Sequence, residues 1–259
     1  TGNHFFAFDN LSSITPAISD ALCKIASGDN QTFRELYTTN SAYTVSSKSP
    51  ILLNGIPELV RRDDLASRSL KLRLNQITSR KTESEAWKLF DIDAPSIFGA
   101  MLDGIVCALK HHESVDVEDI SRMADFCKWS TAAGLAYGWS SNRFMAAYRK
   151  NTESSYMDAL DSSTFGSAVY RMFEFEKSFE GRPLDLLNHL EASTFAPQSV
   201  TRSVNWVSTA SGVVNQLDRI KDSLSAAGIS YEKYKDRTNK TFVKLTRMPE
   251  FDDIEEEEF

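Results

Sequence analysis

The chain has 259 residues, 41% of them hydrophobic and 25% charged, with a formal net charge of −7. Those proportions exclude an intrinsically disordered chain, and the acid excess excludes a protein that coats nucleic acid over its whole surface. No apolar run approaches the roughly 18 residues that span a bilayer, and no basic-then-apolar leader opens the sequence, so no membrane association is expected.

In chain order, Phe5-Phe6-Ala7-Phe8 runs straight into Asp9-Asn10, the pattern of a buried strand that ends in polar groups. Ser19 to Ser27 reads as a short helix closed by Gly28, and Ser41 to Val45 as one arm of a hairpin. Pro50 to Ile56 is a second buried strand, and the alternation in Ser69 to Leu74 predicts a third. From Thr82 the period becomes helical. Phe98, Met101, Leu102, Ile105 and Leu109 recur at three- and four-residue steps and predict one buried helix face.

Val117 to Ala133 and Asn142 to Arg149 continue the helical bundle, with Trp129 and Trp139 expected as core anchors. Helices are expected at Thr164 to Phe179 and at Pro183 to Glu191, the second with proline in its first turn. Ser211 to Gly228 is an amphipathic helix. Beyond it, alternating residues flank Asp236 to Lys240 as strand, turn and strand. Three helices and a hairpin give the layout of a winged helix. Its arms carry Lys233, Lys235, Arg237, Lys240, Lys244 and Arg247 against Glu232 and Asp236, a charge balance suited to DNA phosphates. The same lysines also read as guards against edge pairing.

Three scattered cysteines, Cys23, Cys107 and Cys127, suit reduced thiols in a cytoplasm. Cys107, His111, His112 and Cys127 match no common zinc spacing, and His4 and His189 stand alone. Trp87, Phe90, Trp129, Trp139, Phe144 and Tyr148 fit core positions better than a platform for stacking bases. Glu250 to Phe259 holds seven acids and no base, and reads as a solvated tail.

Order and spacing give the polar strand ends their interest. In ring-forming P-loop ATPases the strand bearing the magnesium-site Asp lies beside one ending in a sensor Asn, and both side chains emerge at one sheet edge. Asp9 and Asn54 have that order, and Arg68 precedes the next predicted strand. Taken singly, Asp9-Asn10 also reads as a helix cap, Asn54-Gly55 as a turn and Arg68 as a surface charge.

Gly28-Asp29, Arg34, Leu36-Tyr37, Asn54 and Arg68, in this order, resemble the superfamily 3 primase-helicases of phages and poxviruses, a group of AAA+ ATPases. The run from Asp9 to Ser13, Ser19 to Cys23 and Arg122 to Phe126 is similar to ATP-binding proteins of bacterial mobile elements. The resemblance implies that Asp9 binds Mg2+ through its water shell, that Asn54 is the sensor and that Arg68 is the arginine finger, with ATP as cofactor. It places the hairpin between Tyr37 and Lys48 at the pore of a homo-oligomeric ring, where Arg34 or Lys48 touches DNA.

Two departures qualify it. Asn10 stands where many such ATPases carry a Glu that polarises water, and an amide cannot take the proton. No glycine is followed by lysine, so no G-x-x-x-x-G-K-[ST] phosphate loop is present. The expectation is an α-rich α/β chain that forms the latter part of a DNA helicase or replication-initiation ATPase of a phage or mobile element. It divides into a partial AAA+ core at residues 1–78, a helical bundle at 79–160, a winged helix at 161–248 and an acidic tail at 249–259. Alone it would hydrolyse little or no ATP. The alternative is a non-catalytic DNA-binding or assembly adaptor with the same winged helix.

Overall fold

The computed structural model describes residues 4–28, 49–117, 122–192, 195–203 and 206–249, with the backbone of 31–34 and 42–45. The chain forms two compact units. One joins residues 1–69 to 153–259, and the other is the stretch 70–152 between them.

The first unit opens with β1 (Phe6–Phe8). Thr15 then caps α1 (Pro16–Ser27), accepting a hydrogen bond from the Ile18 amide, and Gly28 closes it at φ 74°. The backbones of β2 (Gln31–Arg34) and β3 (Ala42–Val45) pair antiparallel, giving the expected hairpin arm a partner. β4 (Ile51–Leu53) lies parallel to β1, with Phe6 opposite Ile51 and Phe8 opposite Leu53. Leu22, Cys23 and Leu65 form a small core under Ile51 and Leu53, and Leu65 comes from the single turn α2 (Asp63–Ala66).

The expected strand at Ser69 to Leu74 does not form. The segment is irregular, with Leu72 81% and Leu74 91% exposed. Alternation makes a strand only where a sheet edge supplies hydrogen bonds.

The second unit is built on α3 (Glu83–His111), which begins with a capping box between Thr82 and Glu85. Its buried residues are Gly104 and Ala108, not the large apolar ones. Small residues let α4 (Ala124–Gly134) and the turn Leu135–Tyr137 come close, and the Tyr137 hydroxyl donates to the Ala100 carbonyl at 2.8 Å. Phe98, Met101, Leu102, Ile105 and Leu109 remain on the outside, as do Trp87 and Phe90. By length and composition α3 is long and apolar enough to cross a membrane, which corrects the reading that no run approaches that length. Trp129 and Trp139 are exposed at 40% and 36% and anchor no core; Trp129 stacks on His112. The core of this unit instead gathers Val115, Val117, Cys127, Ala132, Met145 and Tyr148, the last two from α5 (Ser141–Ser162). Asn151 of α5 ties down Lys71, accepting from its amide and donating to its carbonyl at 3.0 and 2.6 Å.

Ser163 caps α6 (Thr164–Phe175), which stops where Glu176 turns extended. The helix expected to reach Phe179 therefore ends early, and β5 (Ser178–Gly181) takes over. After α7 (Pro183–Ala192) and the turn α8 (Gln198–Thr201), the expected single helix is two, α9 (Ala210–Arg219) and α10 (Lys221–Ala226), broken at Ile220 with φ −103° and ψ 15°. The chain ends in β6 (Ile229–Lys235) and β7 (Thr241–Arg247). These strands and β5 form an antiparallel sheet of order β5-β7-β6. Val243 and Leu245 on its inner face join Leu160, Met172, Leu186, Leu217 and Leu224 in the largest core.

Candidate functional site

β1 and β4 run in the same direction, so their C-terminal ends open at one edge, and Asp9 and Asn54 follow them there. The Asn54 amide nitrogen donates to Asp9 Oδ1 at 2.6 Å. The Asn10 backbone N–H donates to the same oxygen at 2.9 Å. The main chain fixes this meeting: the Asn54 N–H donates to the Phe8 carbonyl and the Leu11 N–H to the Asn54 carbonyl, each at 2.9 Å. Asn10 takes φ 56°, a left-handed conformation that asparagine tolerates. Two side chains 45 positions apart thus share one proton donor and one acceptor at an exposed edge. The second carboxylate oxygen of Asp9 accepts none of these bonds, and the group stands in solvent.

Gly55 makes this corner possible. A Cβ there would sit 2.4 Å from the Leu11 carbonyl oxygen and 3.1 Å from Leu59. The sequence marked Asn54-Gly55 as a turn, and the close approach of the Leu11 carbonyl is why glycine is needed there. Gly55→Ala is expected to cost about 1–3 kcal/mol, because backbone must shift to admit the methyl group; urea denaturation against wild type measures it.

Arg68 is not part of this cluster. Its Nη1 donates to the Asp64 carbonyl at 2.6 Å and its Nε to Ser27 Oγ at 3.3 Å, binding the end of α2 to the end of α1. Arg62 pairs with Asp20 and Asp64 at 2.9 and 2.7 Å on the same side. The Arg34 side chain and Lys48 lie outside the described residues, as do Asp29, Leu36, Tyr37 and the tail from Glu250.

Asp63, which no motif pointed to, is buried at the start of α2. Its carboxylate accepts from the Ser223 N–H at 2.8 Å and from the Ser223 hydroxyl, 160 positions away. Ser223 lies in the first turn of α10, whose N-cap residue Ile220 offers no side-chain bond, so Asp63 caps that helix from a distance. Burial pushes the Asp63 carboxyl up to about 6, against the downward pull of the two Ser223 bonds.

At the C-terminal hairpin, Asp236 shapes the turn by accepting from the Thr238 and Lys240 N–H groups at 2.8 and 2.9 Å, bonds that hold its carboxyl below its usual range. Lys235, Arg237 and Lys240 project from this tip into solvent. Lys233 is already paired with Asp218 of α9 at 2.5 Å, and Arg247 donates to the Phe173 carbonyl. Beside them, α9 exposes Asn215 and Arg219 along a shallow recess of about 250 Å3 that Trp206 and Thr209 also line.

The model of the actinomycete integrative conjugative element replication protein family (AICE RepA) matches residues 2–158. The chain belongs to that family. The model of the AICE RepA C-terminal domain matches residues 165–256, so the two matches together take in both compact units. The candidate residues Asp9, Asn54 and Arg68 fall in the first match, and the basic hairpin falls in the second. Comparison with curated proteins and with solved structures returned no match. The family makes this a mobile-element replication protein.

Proposed function

We propose that the chain supplies the magnesium side of an ATPase site and a DNA-contacting winged helix to the machine that starts or drives unwinding of its mobile element. The observation that carries the first part is the bond between Asp9 and Asn54 at the C-terminal edge of two parallel strands. Mg2+ keeps much of its water shell and needs only one or two carboxylates plus phosphate oxygens, so a lone exposed carboxylate fits it. Asp9 would hold that shell, and Asn54 and Asn10 would orient an attacking water without deprotonating it. Arg68, held by Ser27 and Asp64, suits a role in joining α2 to α1 better than a finger that reaches a neighbouring subunit in a ring. That placement, with Asn10 in place of a water-polarising Glu and no phosphate loop in the sequence, favours a non-catalytic DNA-binding adaptor as the second reading.

The second part draws on element order. With the turn α8 counted as part of the connection and the broken pair α9–α10 as one helix, the order from α6 is helix, strand, helix, helix, strand, strand. With sheet order β5-β7-β6 this matches a winged helix, and α9 and the Asp236–Lys240 turn would then form its DNA side. Exposed Lys235, Arg237 and Lys240 support phosphate contact there.

Asp9→Ala and Asn54→Ala in the element's replication protein test the nucleotide reading. Mg2+-dependent ATP hydrolysis should fall at least about 100-fold, and the copy number of the element should fall with it. Wild-type hydrolysis and copy number in Asp9→Ala would leave the adaptor.

A further inference from the structure

A helix of 29 residues whose large apolar side chains face solvent contradicts the rule that such helices are covered. On α3, at 100° per residue, Trp87, Phe98, Met101, Leu102, Ile105 and Leu109 fall within an arc of about 100°. Each of the six is 45–62% exposed. Together they present roughly 650 Å2 of apolar surface, above what a typical monomer leaves open and close to one partner's share of a standard interface. The small-residue side of the helix, at Ala100, Gly104 and Ala108, is the one turned to α4 and Tyr137 within the unit.

We propose that this face of α3 binds α3 of a second copy of the chain, antiparallel, with Phe98 at the two-fold axis. The area suits a stable dimer, and the helix dipoles choose the direction. Antiparallel helices set each N-terminal end beside a C-terminal end, whereas parallel ones set like ends together. Of the end-turn charges Glu83, Glu85, Lys110 and His111, only Glu83 borders the arc. Phe98 is midway between Trp87 and Leu109, so it meets its own copy. Such a contact is closed and self-complementary, unlike the head-to-tail contacts of a ring. A lipid bilayer fits less well. Asp93 and Asp103 sit on either side of the helix centre, where each carboxylate costs roughly 2.5–3.5 kcal/mol. Between Trp87 and Leu109 the one charged residue within the arc is Asp91, which tempers the contact.

Sedimentation velocity of the full chain across a concentration series tests this. Wild type should move from monomer to dimer. Phe98→Glu should stay monomeric with an unchanged circular dichroism spectrum, and Asp91→Leu should lower the dimer dissociation constant about 10-fold. In a Cys107→Ser background, oxidised Phe98→Cys should run as a covalent dimer, which Trp87→Cys should not. A wild-type monomer at every concentration, dimerisation that ignores both Phe98 and Asp91, or Phe98-dependent flotation with lipid vesicles would each overturn it.

Discussion

Asp63→Ala is expected to lower the stability of the unit that holds it by about 1–3 kcal/mol, since it strips the Ser223 N–H and hydroxyl of their acceptor inside the fold. Asp63→Asn should cost less, because an amide oxygen still accepts one of those bonds. The two variants also separate by pH. The unfolded carboxyl titrates near 3.8 and the folded one at about 6, so the folded state holds the proton more tightly. The stability this group contributes is therefore fully present below the unfolded value and is lost as pH rises through about 6, a change of about 3 kcal/mol. Other carboxylates impose their own pH dependence, so the quantity to follow is wild type minus Asp63→Asn. Urea denaturation at several pH values between 4 and 8 should show that difference shrinking as pH rises. Parallel profiles would mean that Asp63 does not titrate in this range.

Reversing Lys235, Arg237 and Lys240 to Glu together should weaken duplex DNA binding at least about 100-fold at 100 mM salt and flatten the salt dependence by about 2–3 in log–log slope. Three exposed cations at one hairpin tip meet few competing carboxylates, since Asp236 is spent on the turn itself. Lys233→Glu alone should matter less for DNA, because Asp218 already holds that ammonium. Fluorescence anisotropy with a labelled duplex, titrated with salt, reads both. Unchanged affinity in the triple variant would remove the hairpin from the interface.

The Asp9–Asn54 edge was legible because both strands are apolar runs that stop at a polar residue, and they pair in parallel as such runs do. The burial expected of them is not found, since Phe5, Phe8 and Leu52 are 55%, 46% and 51% exposed on a sheet of two short strands. The C-terminal hairpin was legible for a similar reason, two alternating runs about a polar turn. Elsewhere the local pattern lacked the deciding information. Ser69 to Leu74 alternates as β7 does, yet only β7 has neighbouring strands to bond with, while the main chain of Lys71 is met by the Asn151 side chain. Ser178–Gly181 is four residues long, and the strand that defines it lies more than 60 positions later. The apolar face of α3 was read as core because periodicity reports that a face is to be covered, not what covers it. Asp63 gave no signal at all, since a carboxylate on a short turn looks solvated until its distant serine partner is known.

Residues 70–152 interrupt a unit whose two halves depend on each other. During synthesis, the strand pair near the start and its small core wait for Ser223 before α2 gains its buried bond. More than 150 residues must leave the ribosome in that interval, while the intervening helices can already pack among themselves. The early segment is thus the part of this chain that a chaperone would hold longest.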